Sequence, residues 1–339
     1  MSNPHTGVLI MNLGTPDSPN RGDVYKYLKQ FLLDPRVLDI SWLGRQALVR
    51  GIIAPFRSGS SGKLYKEMWD EKGSPLKYYG ESLVEGVQSM LGEEYHVELA
   101  MRYQSPSVKD ALDKIEQSRV DRYIIFPLFP HYASASTGSA HEEVMQYFVK
   151  KQVIPDIRFI NSYYDNEDMI KIFARKGKEF PVHEYDHILF SFHGLPERQM
   201  IKQDIGNHCQ QNKDCCKTFS EKNKTCYSAQ CYVTAKAIAK ELNLDEDKYT
   251  VCFQSRLGRA EWVKPYTTDI LKERAEKGDK KVLAFCPAFT ADCLETIIEM
   301  GIEYTEEWEE LGGETFDWVR SLNDDPEWVE TVAELIKTY

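Results

Sequence analysis

A histidine at the end of an apolar run, a ladder of glutamates four residues apart and a knot of cysteines are the groups in this chain whose types and spacing could do chemistry. His193 stands in Ser191-Phe192-His193-Gly194-Leu195-Pro196, directly after an apolar stretch, and Gly194 and Pro196 turn the chain away at once. Imidazole placed there can accept a proton near neutral pH or give a lone pair to a metal. Taken alone, such a His is more often a core residue satisfied by backbone. What shifts the balance is Glu295, Glu299 and Glu303, which recur every four residues after Cys286-Pro287-Ala288-Phe289. On a helix they make one carboxylate ridge. A solvated face usually explains such a run, but this helix opens from a strand end. A His and a graded row of carboxylates suit a site that binds a hard or borderline cation, moves protons, or does both.

Short apolar runs alternate with stretches of helical spacing, which predicts an α/β fold with mainly parallel sheets. Strands are expected at 7–13, 97–101, 122–128, 157–160, 187–192, 249–254 and 281–286, and helices at 108–117, 140–150, 165–178, 234–242 and 267–276. Each strand ends in a polar or Gly/Pro turn, where ligands of open α/β sheets bind. The order repeats after about 150 residues, so two similar lobes facing a cleft are expected, although no literal sequence repeat is visible. The segment 28–56 carries Phe31, Leu32, Leu33, Trp42, Leu43, Leu48, Ile52 and Ile53. A packed helical pair is the favoured reading, and a greasy lip for an apolar ligand or a membrane surface the functional one. The acidic tail alternates Trp308, Leu311, Trp318, Val319, Trp328 and Leu335 with charge, as a docked amphipathic helix would.

The chain has 339 residues, with 42 basic and 53 acidic side chains and a net charge of −11, so a phosphate backbone would meet net repulsion and nucleic acid is not expected as a partner. Eight cysteines are too few for a disulfide-stapled secreted scaffold, and the start of the chain has no signal-peptide pattern, which points to the cytoplasm. No stretch approaches the ~20 apolar residues of a bilayer span.

Two motif matches are set aside. His183-Glu184-Tyr185-Asp186-His187 fits the zinc-protease pattern but runs straight into a strand, leaving no helix to aim both imidazoles. Gly59-Ser60-Ser61-Gly62-Lys63 is too short for a phosphate loop, with Leu64 where Ser or Thr would bind magnesium, and a surface loop is expected instead. No G-x-G-x-x-G follows the first strand, so no dinucleotide site is expected there.

Collinear over nearly the whole chain, a set of rare peptides resembles the ferrochelatase family, whose members complete haem synthesis. They are Asn12-Leu13-Gly14-Thr15-Pro16, Phe31-Leu32-Leu33-Asp34-Pro35-Arg36-Val37, Gly73-Ser74-Pro75-Leu76, Pro127-Leu128-Phe129-Pro130-His131-Tyr132, Ser191-Phe192-His193-Gly194-Leu195-Pro196, Phe253-Gln254-Ser255-Arg256-Leu257-Gly258-Arg259 with Trp262, and Cys293-Leu294-Glu295-Thr296. The resemblance implies two Rossmann-like lobes with parallel sheets around a porphyrin cleft, and a lyase that inserts Fe²⁺ into protoporphyrin IX. It implies that His193 and Glu295 act in metal coordination and pyrrole deprotonation, that Glu299 and Glu303 continue a proton or metal path, and that Leu13, Arg102, Tyr103 and Trp262 line the porphyrin site. The N-terminal motif looks more like the protoporphyrin-using branch. The rival readings are a coproporphyrin III ferrochelatase, a cobaltochelatase, and a porphyrin-binding or iron-sensing protein of the same fold.

Many members of that family carry a [2Fe–2S] cluster with ligands in a C-terminal extension and one after the turn at Pro130. This chain ends at Tyr339 without a terminal Cys group and has Ser134 at the other place. Five of the eight cysteines fall instead between Cys209 and Cys231. Cys231 matches a family position, which leaves Cys209, Cys215, Cys216 and Cys226 as an internal set expected to hold [2Fe–2S], with Zn²⁺ as the alternative. Cys252, Cys286 and Cys293 are expected in the core. The expected division is an N-terminal lobe 1–160 with its lip, a C-terminal lobe 161–305 with a Cys-rich insertion 207–230, and a helical tail 306–339. Peripheral contact with the inner membrane is a further expectation, and the oligomeric state is not fixed.

Overall fold

The computed structural model describes residues 5–212, 214–258 and 260–339; Arg259, quoted in one of the motifs above, lies outside the described residues. The chain divides into two compact units, one holding residues up to Phe129 with Ala133–Asn161 and Asn323–Tyr339, the other Pro130–Tyr132 and Ser162–Leu322.

The first unit is built on strands β1 (Thr6–Gly14), β2 (Tyr95–Tyr103), β3 (Arg122–Pro127) and β4 (Asp156–Phe159), in the order β2-β1-β3-β4. The second is built on β5 (His187–His193), β6 (Tyr249–Gln254), β7 (Lys281–Phe285) and β8 (Thr315–Trp318), in the order β6-β5-β7-β8. Every pairing is parallel, and the two orders are the same. In each sheet the chain moves from the central strand to one side and then crosses to the other. The order therefore reverses between β1 and β3, and between β5 and β7. At such switch points the crossover connections splay apart and leave a crevice beyond the carboxyl ends of the strands.

Strand sequence follows from position. Val8, Leu9, Ile10 and Met11 of β1 are all fully buried, because a central parallel strand has helices on both faces and reads as a continuous apolar run. Helices α1 (Arg21–Leu32), α2 (Trp42–Leu48), α3 (Ala54–Met68), α4 (Pro75–Leu91), α5 (Val108–Gln117) and α6 (Ser139–Phe148) belong to the first unit. Helices α7 (Glu167–Gly177), α8 (Glu197–Gln203), α9 (Tyr227–Glu241), α10 (Thr267–Glu276) and α11 (Tyr304–Glu310) belong to the second, and α12 (Pro326–Lys337) returns to the first. In α5 the Ser107 hydroxyl accepts from the Asp110 amide, and Val108, Ala111, Leu112 and Ile115 form the buried stripe packed with Leu9, Met11 and Ile125. The matching core of the second unit gathers Leu189, Leu271, Val282, Ala284 and Trp308. Cys252, Cys286 and Cys293 are buried as expected, and so is Cys231.

Several expectations need correction. The segment 306–339 is not a helical tail: α11 and β8 complete the second unit, and only α12 docks elsewhere, on α4. Strand β8 was missed because a four-residue edge strand ending at Trp318 has no run long enough to show a period. Gly59 to Lys63 is not a loop but lies inside α3, where Ser58, Ser61 and Gly62 are buried. The lip is helical through α2, the π-helix Val49–Ile53 and α3, yet it is not a closed pair: Trp42 is 63%, Leu43 73%, Ile52 56% and Phe56 78% exposed. The protease pattern is excluded geometrically, since His187 begins β5, is buried, and bonds the Thr250 hydroxyl at 2.8 Å.

Candidate active site

His193 is the last residue of β5, paired in register with Gln254 of β6. The chain must turn there against its neighbour. The Gly194 amide donates to the Gln254 carbonyl at 2.8 Å, and a Cβ on Gly194 would stand 2.8 Å from that oxygen, so only glycine fits without moving backbone. The half-buried imidazole has Nδ1 2.6 Å from the Gly194 carbonyl oxygen. A carbonyl can only accept, so Nδ1 carries the hydrogen and Nε2 keeps its lone pair. The ring lies 6.4 Å, centroid to centroid, from both Trp262 and Phe289. Trp262 is buried beside Pro196 through an isolated backbone bridge, and its indole Nε1 has no protein partner.

Glu295 begins the π-helix Glu295–Glu303 that follows β7, next to β5 in the sheet. The entry to this helix is fixed by fully buried Asp292, which accepts from Thr296 Oγ1 at 3.0 Å and Arg320 Nε at 2.8 Å. The expected α-helix is instead wound one residue wider, as the Tyr304 amide bonding the Glu299 carbonyl shows. The glutamate ridge survives this change. Four residues overshoot an α-helical turn of 3.6 by about 40°; with the wider π-turn they fall slightly short of a full turn, still on one face. Along it Glu295 and Glu299 are half-buried and Glu303 is exposed. Burial first, and then the Glu295 carboxylate, push the Cys293 thiol well above its ordinary range, which leaves Cys293 a neutral donor to Glu295.

Glu299 is held by more donors than the sequence suggested. Its carboxylate accepts from the Ser255 amide at 2.8 Å, the Ser255 hydroxyl at 2.5 Å, Gln254 Nε2 at 3.1 Å and the Tyr304 hydroxyl at 3.1 Å. Sequence reasoning passed over Gln254 and Asp292; a polar amide closing the apolar run 249–254 and an acid just ahead of the glutamate ridge were the available signal.

The residues expected from the first unit behave differently. Leu13 is half-buried near the end of β1. Tyr103 is fully buried and offers no surface to a ligand: its ring packs on Phe31, and its hydroxyl donates to Asp34 at 2.9 Å. Arg102 is not a spare cation, because its guanidinium pairs with Asp34 at 2.9 Å and Glu143 at 3.1 Å. Burial pushes the Asp34 carboxyl up, but hydrogen bonds from Ser139, the Arg36 amide and Tyr103, with the charge of Arg102, outweigh it and hold Asp34 below the usual range.

The four loop cysteines line one small pocket with Asp204, His208 and Asn223. Asp204 gathers the loop by accepting from the amides of Gly206, His208 and Cys209, and Asn223 Nδ2 donates to the Cys215 and Thr218 carbonyls. Cys215 and Cys216 sulfurs stand 3.5 Å apart, and those of Cys216 and Cys226 3.8 Å apart. Thiolates bound tetrahedrally to one metal at about 2.3 Å would be about 3.8 Å apart. The pairs therefore match, although among the described residues no three His, Cys, Asp or Glu side chains are set around one ion. Cys226 caps α9; hydrogen bonding from Cys216 first, and the amides of Ala229 and Ser228, bring its thiol below the ordinary value.

A family model described as ferrochelatase matches residues 5–339. A ferrochelatase of Legionella pneumophila (strain Lens) is 43% identical over 330 residues, 97% of this chain and 98% of that protein. One from Coxiella burnetii (strain Dugway 5J108-111) is 43% identical over 336 residues, 99% of this chain and 94% of that protein. Among solved structures, SirB from Bacillus subtilis with Fe³⁺ aligns at a TM-score of 0.56 and 10% identity, covering 98% of this chain and 94% of its own. The sirohydrochlorin chelatase SirB from Bacillus subtilis subspecies spizizenii aligns at 0.54 and 9%, with the same coverage. At those identities the likeness concerns the fold.

Proposed function

The chain belongs to the ferrochelatase family, enzymes that insert metal into porphyrin with ferrous iron as substrate, and from that premise we propose that it forms haem from Fe²⁺ and protoporphyrin IX, the last step of haem synthesis. The observation that carries the reading is the fixed tautomer of His193, with its Nε2 lone pair at the mouth of the β5/β7 switch point and the glutamate ridge opening from the next strand.

The reaction removes two pyrrole N–H protons and puts one Fe²⁺ in their place, releasing two protons. His193 Nε2 takes a pyrrole proton, and the imidazolium so formed is stabilised by the Gly194 carbonyl already bonded to Nδ1–H. Glu295, which opens the helix after the neighbouring strand β7, is available to take the second proton or to hand over iron without holding it tightly. Trp262 and Phe289 form a rigid wall beside the imidazole, able to favour a bent macrocycle over a flat one. An anaerobic assay with Fe²⁺ and protoporphyrin IX tests this, with coproporphyrin III and Co²⁺ run alongside. Faster turnover on either alternative would replace the substrate assignment, and no turnover on any would sink the reading.

Cys209, Cys215, Cys216 and Cys226 are assigned to a [2Fe–2S] cluster. The support is a four-thiol donor set in one pocket with sulfur pairs at metal-ligating separations. When bound, such a cluster supplies a one-electron centre and a cross-link for the loop. Iron and sulfide in anaerobically purified protein would support it; zinc alone would assign the site to Zn²⁺, and neither would remove it.

The exposed Trp42, Leu43, Ile52 and Phe56 support peripheral contact with a lipid surface. No helix among the described residues is long and apolar enough to cross a membrane.

A further inference from the structure

Gln254 is 1% exposed, at the end of β6, and both ends of its amide are committed. Its Oε1 accepts from the Ser191 hydroxyl at 2.8 Å and the Cys286 thiol at 3.8 Å. Its Nε2 faces the Glu299 carboxylate at 3.1 Å and the Glu295 carbonyl at 3.3 Å. The amide cannot be turned over, because Oε1 would then confront a carboxylate and a carbonyl, both acceptors. One side chain thus ties β5 and the end of β7 to the π-helix that carries the glutamates.

Ser255 completes the arrangement. Its φ of +65° turns the chain so that its amide and hydroxyl both reach the Glu299 carboxylate, and Tyr304 adds a fourth donor from the far end of the π-helix. Four donors fill the roughly four acceptor sites of a carboxylate. A carboxylate so saturated is poorly suited to swing.

We propose that Gln254 and Ser255 are positioning residues that clamp Glu299 as a fixed anion, so that Glu299 anchors the π-helix and sets where Glu295 meets the substrate, rather than acting as a carrier itself. This rests on the chelatase reading for its kinetic consequence, but the clamp is a statement about the π-helix alone.

Three variants test it: Gln254→Met, which keeps the bulk and removes both sets of bonds; Gln254→Glu, which keeps the shape; and Ser255→Ala. Gln254→Met should lower kcat by about tenfold or more while the porphyrin KM changes little. Gln254→Glu can imitate the amide only while its carboxyl is protonated, donating to Glu299 and accepting from Ser191. Its kcat relative to the parent should therefore fall as pH rises, a titration absent from Gln254→Met. Amide hydrogen exchange over 295–303 should accelerate in Gln254→Met and more weakly in Ser255→Ala, whether or not the parent protein turns over this substrate pair. Unchanged exchange over that segment, a Gln254→Met kcat within about twofold of the parent, or a pH profile of Gln254→Glu that overlays the parent would each overturn the clamp.

Discussion

The Tyr227 hydroxyl donates to the carbonyl of His193 at 2.9 Å, and Tyr227 is the first residue of α9, directly after Cys226. The candidate base His193 and the cysteine pocket are therefore joined by one buried phenol. His193 Nδ1 bonds the Gly194 carbonyl, so the backbone at 193–194 is held on both sides of the imidazole.

Removing the base should abolish chelation. His193→Ala is expected to lose iron insertion while still binding porphyrin, followed by quenching of porphyrin fluorescence. Tyr227→Phe should keep a measurable rate but lose about tenfold, since it releases the His193 carbonyl without removing the imidazole. Near-parental turnover of His193→Ala would refute its role.

The glutamates should separate by depth. Glu295→Gln removes the proposed partner of His193 and is expected to lower kcat by about 10²-fold or more. Glu303→Gln, on the exposed end of the ridge, should cost only severalfold. Equal losses at both positions would contradict the gradient.

Acid should destabilise the fold before it protonates most carboxylates. Burial lowers His131 to about 3 and His141 and His187 to about 4, from an ordinary 6.5. A depressed imidazole is neutral when folded but takes a proton when unfolded, so stability is full above pH 6.5 and falls as pH drops below it. By pH 5 each contributes a loss of about 2 kcal/mol. Urea denaturation at pH 7.5 and 5 checks this; equal midpoints would contradict it, and His187→Gln should flatten the dependence.

The lip should bind lipid through apolar area. Leu43→Ser with Phe56→Ser is expected to lower co-sedimentation with anionic lipid vesicles on the order of tenfold or more, each side chain contributing about 2 kcal/mol on transfer. Retention of full binding by the double variant would place the contact elsewhere.

Local order was legible where local physics decides. The buried runs of β1 and β5 had to be strands, α5 had the cap and spacing to set its own start, and His193-Gly194 had to be a tight turn closing a strand. The repeated order of elements was visible too. What was hidden in it is that the matched strand ends share a pattern, Leu13-Gly14-Thr15-Pro16 closing β1 and His193-Gly194-Leu195-Pro196 closing β5. In both, the glycine presses on a carbonyl of the neighbouring strand, and one sheet carries Leu13 where the other carries His193.

By itself, then, the sequence determined the α/β alternation, the family, and the candidacy of His193 and the glutamate ridge, because these depend on period, turn chemistry and residue type. Only the tertiary structure decided that β5 lies beside β7, which brings His193 and Glu295 to one switch point. It also decided that the glutamate helix is π-wound, that Tyr103 is buried, that Arg102 is already neutralised by Asp34 and Glu143, and that the lip stays exposed. Strand order, burial and the partner of a charge are set by residues distant in sequence, and no local pattern encodes them.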